Sequence, residues 1–210
     1  MGVRDLFPKH FFKTARKAIS IFEGLDADWM FIGAVSVAAW GRVRATTDAD
    51  FAISLDFTAA GDLDEAMKKA GLEKESGPVE IPAKRLVLSK YWAPYSGGGL
   101  GIDVFFSTGY DTGRFLKEAL QRKVQVKFQG KSYSAATPED LVVLKVHAYR
   151  ARDLDDVATV LERRFDELDW IYIHRWASEL RFEKLLMDVV EQFMESHARR
   201  GPLPWKRARK

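Results

Sequence analysis

Asp48 and Asp50 are separated by one residue in the run FIGAVSVAAWGRVRATTDADFAIS, Phe31 to Ser54. On an extended strand, residues i and i+2 share a face. Both carboxylates therefore point one way, and Ala49 and Phe51 point the other way into a core. Two carboxylates on one strand face make a hard oxygen site suited to magnesium, with manganese as the alternative ion. Magnesium takes one or two protein carboxylates and fills its other positions with water or substrate phosphate oxygens. A third acid, Asp103, interrupts the apolar run Ile102-Asp103-Val104. An acid without a partner is costly to bury. Set beside Asp48 and Asp50 across a sheet, Asp103 becomes a third metal ligand or the base for an attacking hydroxyl. Taken alone, an Asp-x-Asp is equally a solvated turn or strand edge, so the surrounding elements decide.

The elements needed to hold such a site are legible around it. Trp29 to Ile32 is a short apolar run before Gly33 and reads as a buried strand. Val35 to Trp40 reads as a short helix of small residues, and Asp50 to Leu55 as a second strand. Upstream, His10 to Leu25 has helical spacing, with Phe11, Ala15, Ala18, Ile19 and Phe22 on one side. Leu63 to Ala70 is a helix stopped by Gly71. Arg85 to Trp92 and Gly101 to Phe106 read as strands joined through a turn at Ser96 to Gly99. Thr112 to Gln121 is helical, and Val124 to Tyr133 forms a hairpin about Gln129-Gly130.

Beyond this the pattern changes. Thr137-Pro138-Glu139-Asp140 opens a helix, with a capping hydroxyl, proline at the first position and acids at the positive end. From there to Arg199 the chain reads as helical, with joints near Arg152 to Leu154 and Phe165 to Asp169. Trp170, Tyr172 and Trp176 form a core stripe on a late helix. His147 and His174 read as packing or surface residues, since the four histidines include no pair at i and i+4. The expected organisation is α+β: a mixed sheet flanked by helices over residues 1–135, a helical region over 136–198, and a basic, disordered tail over 199–210.

Composition narrows the chemistry. The chain has 210 residues and no cysteine, which excludes disulfides, thiolate metal sites and cysteine nucleophiles. The net charge of +3 resides in the tail. Residues 199–210 hold six Lys or Arg and no acid, and the rest of the chain is about −3. Such a tail either contacts nucleic acid or aids solubility. The longest nearly uncharged stretch in the first half, Trp29 to Gly41, is too short for a membrane span, which takes roughly 20 apolar residues. The charged N-terminus MGVRDLFPKHFFK does not read as a signal peptide. The expectation is a cytoplasmic protein with no membrane partner.

The central run resembles the first signature of the DNA polymerase β-like nucleotidyltransferase superfamily: a strand, a glycine turn, then Asp-x-Asp. It also resembles the fuller pattern of bacterial members like the AbiEii abortive-infection toxins, whose Gly-Gly-x-Ala, glycine, Arg-x-Thr and Asp-x-Asp correspond to Gly33-Ala34-Val35-Ser36, Gly41, Arg44-Ala45-Thr46 and Asp48-Ala49-Asp50. Ala34 departs from the usual second Gly or Ser, and puts a Cβ where backbone is expected to approach phosphate. Ser36 can restore a hydroxyl there. The resemblance continues with Pro138-Glu139-Asp140-Leu141, Lys145 and Arg152-Asp153-Leu154-Asp155-Asp156. In an unbroken helix, Lys145, Arg152 and Asp156 would share a stripe.

This resemblance implies a nucleotidyltransferase-like mixed sheet followed by a helical bundle. It implies a magnesium-dependent enzyme moving a nucleoside monophosphate from a triphosphate such as ATP to an acceptor hydroxyl. Asp48, Asp50 and Asp103 would bind metal and carry catalysis. Gly33, Ala34, Ser36, Arg44, Thr46, Lys145, Asp153 and Asp156 would bind or orient the nucleotide, and Arg42 would meet phosphate or acceptor. RNA, above all the tRNA acceptor end, ranks first as acceptor, followed by a small molecule of the aminoglycoside or lincosamide kind, then a protein. The toxin likeness adds a cognate antitoxin as partner. A non-catalytic binding module on a degenerate form of the fold remains the reading from a different class.

Overall fold

The computed structural model describes residues 7, 10–81, 86–106 and 111–207. Helix α1 (Phe11–Gly24) leads to β1 (Trp29–Phe31), α2 (Ala34–Trp40) and β2 (Asp48–Ile53). After α3 (Ala60–Lys69) come β3 (Glu73–Ile81), β4 (Leu86–Tyr95), β5 (Gly98–Phe106), α4 (Asp111–Arg122), β6 (Val124–Phe128) and β7 (Lys131–Ala135). Helices α5 (Pro138–Ala148), α6 (Ala151–Arg164), α7 (Trp170–Glu179), α8 (Glu183–Ser196) and α9 (Pro204–Arg207) complete the chain. The strands form one mixed sheet in the order β3-β4-β5-β2-β1-β7-β6. β2 runs parallel to β5 and antiparallel to β1. This is the α+β architecture expected from the sequence.

Strand alternation splits the interior into two cores. Along β1 and β2, Phe31, Ala49, Phe51 and Ile53 enter the core shared with α1 and α3. Met30 and Ala52 enter the other core, which is built with α4 to α8. Asp48 and Asp50 share the parity of Ala52, so they lie on the face that the later helices cover. On that face the sheet is closed by Leu116, Leu141, Val160, Ile173 and Leu186, all essentially inaccessible to solvent. Burial of each such side chain is worth about 1.5–3 kcal/mol, which holds the helices against the face that carries the two acids.

Several expectations need correction. Segment Glu73–Ile81 is a strand that its sequence did not announce. It lies at the sheet edge, has register shifts between Lys74 and Val79, and carries a Gly77-Pro78 pair that only an edge strand tolerates. The first joint in the helical region falls at Tyr149-Arg150, not Arg152 to Leu154. Tyr149 takes a left-handed φ of 54° as the cap of α5, so the unbroken Lys145–Arg152–Asp156 stripe does not exist. A further joint separates α7 from α8 at Leu180 to Phe182, where Arg181 has φ 61°.

The tail expected to be disordered is placed through Arg207. Arg199 pairs with Asp166 at 2.8 Å, and Trp205 is 9% exposed against Trp170 and His174. One indole and one leucine, Leu203, give this short basic stretch enough apolar surface to dock. Residues 208–210 lie outside the described residues, as does Arg85, the expected start of β4. Among the described residues no helix is long and apolar enough to cross a membrane.

Candidate active site

Asp50 and Asp103 are Cα partners in the β2–β5 ladder, and Asp48 is paired with Gly101 in the same ladder. The sheet thus brings together the three acids singled out from the sequence. Two glycines make room for them. A Cβ on Gly33 would stand 1.7 Å from Asp50 Oδ2, and one on Gly101 would stand 2.4 Å from Asp48 Oδ1. Any side chain at either position would displace a carboxylate. Gly41 has a different use: its missing Cβ lets the chain pass against Thr159 of α6.

The electrostatics of the cluster are unfavourable to charge. Burial pushes the Asp50 carboxyl up to about 6, and the negative charges of Asp103 and Asp48 push in the same direction, against the pull of Lys145 and Arg44. A half-buried carboxylate raised in this way gains from any cation brought to it. Asp48 keeps its geometry through Thr46, whose hydroxyl donates to the Asp48 carbonyl at 3.0 Å and accepts from the Asp48 N–H at 3.2 Å. Thr46 therefore fixes the start of β2.

Asp103 has a partner that sequence reasoning missed. Lys90 of β4 stands opposite it in the β4–β5 register, with Nζ 2.6 Å from Oδ2. Counting outward from the hairpin turn reveals the pair only if the turn is placed correctly. The turn is Ser96-Gly97, which sets Tyr95 against Gly98 and so Lys90 against Asp103. A turn drawn over Ser96 to Gly99 slides the register and sets Trp92 there instead.

The second motif forms a closed charge network. Lys145 is buried, and its ammonium lies 2.8 Å from Asp153 Oδ1 and 2.9 Å from Asp156 Oδ2. Arg44 grips Asp156 with two bonds, of 2.7 and 3.0 Å. Arg150, also missed, grips Asp153 at 2.5 and 3.2 Å. Burial would raise both acids, but the bonds from these cations hold both carboxyls below the usual range. Arg44 is thus committed to Asp156, and Asp153 to Arg150 and Lys145. The Arg44–Asp156 pair braces the loop before β2 against α6, and Leu144, Lys145, His147, Ala148, Arg150, Arg152 and Asp153 of this region line the cleft.

The phosphate turn also differs from expectation. Ser36 is fully buried, and its hydroxyl donates to the Phe31 carbonyl at 2.6 Å. It is spent on holding α2 to β1 and offers nothing to phosphate. Ala34 is 2% exposed and sits in the α1-side core. Its Cβ points into that core, so the departure from Gly or Ser obstructs nothing. Arg42 is exposed and reaches toward Glu162 at 3.5 Å.

Together these groups line a cleft of about 370 Å³. One end carries Asp48, Asp50, Asp103 and Lys90 with Gly33. The mouth carries Arg150 and Arg152, and the wall is apolar, with Leu88, Phe105, Leu116 and Leu144. This combination of apolar wall and few converging polar groups is what a small-ligand site requires. A larger hollow of about 630 Å³ near Trp40 and Phe128 has no carboxylate in its lining.

No protein-family model matches the sequence, and no curated protein matches it. Solved structures do. A nucleotidyltransferase-like antigenic protein from Paracoccidioides brasiliensis superposes with a TM-score of 0.58 at 14% identity, over 88% of this chain and 90% of that one. The antibiotic-resistance factor ANT(2'')-Ia gives 0.48 at 11% identity over 90% and 97%. The lincosamide adenylyltransferase LnuA, solved with lincomycin, gives 0.47 at 12% over 70% and 94%. The first of these shows the fold, which is nucleotidyltransferase-like; the other two are too distant to add to it.

Proposed function

We propose that this chain, with its nucleotidyltransferase-like fold, moves a nucleoside monophosphate from a nucleoside triphosphate to an acceptor hydroxyl. The single observation that carries the reading is the register of Asp50 with Asp103 across β2–β5, with Asp48 two residues earlier on the same face and Gly33 beside Asp50. Three acids converging without apolar justification, in a cleft of this size, are expensive to keep unless they serve chemistry.

The donor set suits a divalent cation, since Asp48 and Asp50 are hard oxygen ligands and Asp50 is destabilised as an anion. Magnesium is the reading, held by these two residues. When bound it would supply charge neutralisation at the phosphoryl oxygens. The chain's own residues supply the rest. Lys145, Arg150 and Arg152 draw the triphosphate into the cleft, and Gly33 lets it approach the backbone at the start of α2. Asp103 accepts the proton of the acceptor hydroxyl. The acceptor oxygen forms its bond to the α-phosphorus as the bond to the bridging oxygen breaks, and pyrophosphate leaves with that electron pair. Positioning and electrostatics carry most of the acceleration.

RNA remains the first-ranked acceptor, with the tRNA end foremost, as for the AbiEii-type toxins. The exposed Arg150 and Arg152 at the mouth support a polyanionic acceptor and disfavour a polycationic aminoglycoside. A cytoplasmic setting with a cognate antitoxin belongs to the same reading. The test is calorimetric. Each nucleoside triphosphate is titrated into wild type and Asp50→Ala with and without magnesium, and then with tRNA or an aminoglycoside as competitor. Magnesium-dependent binding that Asp50→Ala loses supports the site, and binding indifferent to both would remove it.

A further inference from the structure

Three acids meet on one face, yet among the described residues no group of three His, Cys, Asp or Glu side chains is placed to hold a metal ion. Lys90 already engages one of the three. Its ammonium engages Asp103 Oδ2 at 2.6 Å, and the Asp103 side chain is only 15% exposed. Hairpin pairing on both sides, Ser89 with Val104 and Tyr91 with Ile102, fixes where Lys90 stands. Tyr91 is itself anchored, fully buried and hydrogen-bonded to Asp64 at 2.7 Å.

We infer that Lys90 is a built-in cation that keeps Asp103 out of the metal's coordination shell, so that the site takes a single divalent ion through Asp48 and Asp50. The inference rests on the proposed nucleotidyltransferase site and says how that site is loaded. Three free carboxylates would keep one negative charge after a single divalent ion had bound, and so would favour a second. With Lys90 in place the balance falls to that of the Asp48–Asp50 pair, which one ion neutralises. Magnesium sheds its water reluctantly. To recruit Asp103 through Oδ2 it would have to lose water and break a charge-assisted bond together, and through Oδ1 it would have to stand beside the Lys90 ammonium. Lys90 is thus a positioning residue: it leaves Asp103 to receive the acceptor's proton.

The test counts bound Mn2+ by electron paramagnetic resonance in the full chain, without nucleotide, after circular dichroism has shown each variant folded. Wild type is expected to bind one ion, and Asp50→Asn none. Lys90→Met frees Asp103 and is expected to bind two. Lys90→Arg, which keeps the cation, and the double variant Lys90→Met with Asp103→Asn are each expected to bind one. A Lys90→Met protein that still binds one ion, whatever its affinity, overturns the inference. The proposed site survives that result provided the wild-type ion is lost in Asp50→Asn. Two ions on the wild type overturn the inference as well. No ion on either wild type or Lys90→Met overturns the inference and the proposed site together.

Discussion

The α-carbon of Gly33 lies so close to Asp50 that a Cβ built on it would stand 1.7 Å from the carboxylate oxygen Oδ2. The glycine turn and the acidic strand are therefore one device. Gly33→Ala is expected to displace Asp50 and cut nucleotidyl transfer by about 100-fold or more, since a shift of about 1 Å in a reacting group costs that much. The circular dichroism spectrum is expected to stay unchanged. Transfer within a few-fold of wild type would show that Asp50 works from another position.

Asp50 should make the fold less stable at high pH. Its carboxyl is raised to about 6, so the folded state holds that proton more tightly than the unfolded chain does. Stability from this group is fully present below the ordinary Asp pKa and is lost as pH rises toward 6. Asp50→Asn, which stays neutral, is expected to stabilise the protein at pH 8 by up to about 3 kcal/mol. By pH 5 the gain should fall to roughly half that. Urea unfolding at the two pH values measures the difference, and an equal effect at both would contradict the account.

Lys145 is expected to matter for stability as well as for phosphate. It is the shared cation of two buried acids, at 2.8 and 2.9 Å. Lys145→Met leaves Asp153 with Arg150 and Asp156 with Arg44, so the loss should be near the lower end for a broken buried pair, roughly 3 kcal/mol. Urea unfolding without nucleotide checks this. A loss below about 0.5 kcal/mol, the range of ordinary surface substitutions, would mean that the network is not structural.

Trp205 tests the folded tail. It is 9% exposed, with its ring 6.0 Å from that of Trp170 and 5.1 Å from that of His174. Trp205→Ala should cost about 2–3 kcal/mol in urea unfolding, a little under the usual loss for a core Trp. A disordered tail would make the substitution silent.

The strand that carries the acids was the most legible part of the chain, because a period of two assigns each side chain to a face without knowledge of the fold. Asp48, Ala49, Asp50 and Phe51 could be sorted by counting alone. The pairing of Asp103 with Lys90 depended on a hairpin register. Three successive glycines, Gly97 to Gly99, blur where that turn ends, and a turn drawn two residues longer would set Trp92 opposite Asp103 in place of Lys90. The Lys145 network was hidden for another reason. Helical periodicity assumes an unbroken helix, and Tyr149, with no glycine or proline nearby to announce it, breaks α5 from α6. The lysine still meets Asp153 and Asp156, but across a joint and not along a stripe. Ser36 shows a limit of motif reading: a hydroxyl in a phosphate turn points inward when a backbone carbonyl lies 2.6 Å away.

The central claim is that Asp48 and Asp50 serve nucleotidyl transfer. It is tested most directly by incubating the protein with magnesium, each α-labelled nucleoside triphosphate in turn, and total tRNA, with Asp50→Ala as control. The expected result is label on tRNA from one or more nucleotides with wild type, none with Asp50→Ala, and none from a γ-labelled donor. No transfer to tRNA, to a small-molecule acceptor or to protein, together with nucleotide binding that is indifferent to magnesium and to Asp50, would contradict the account.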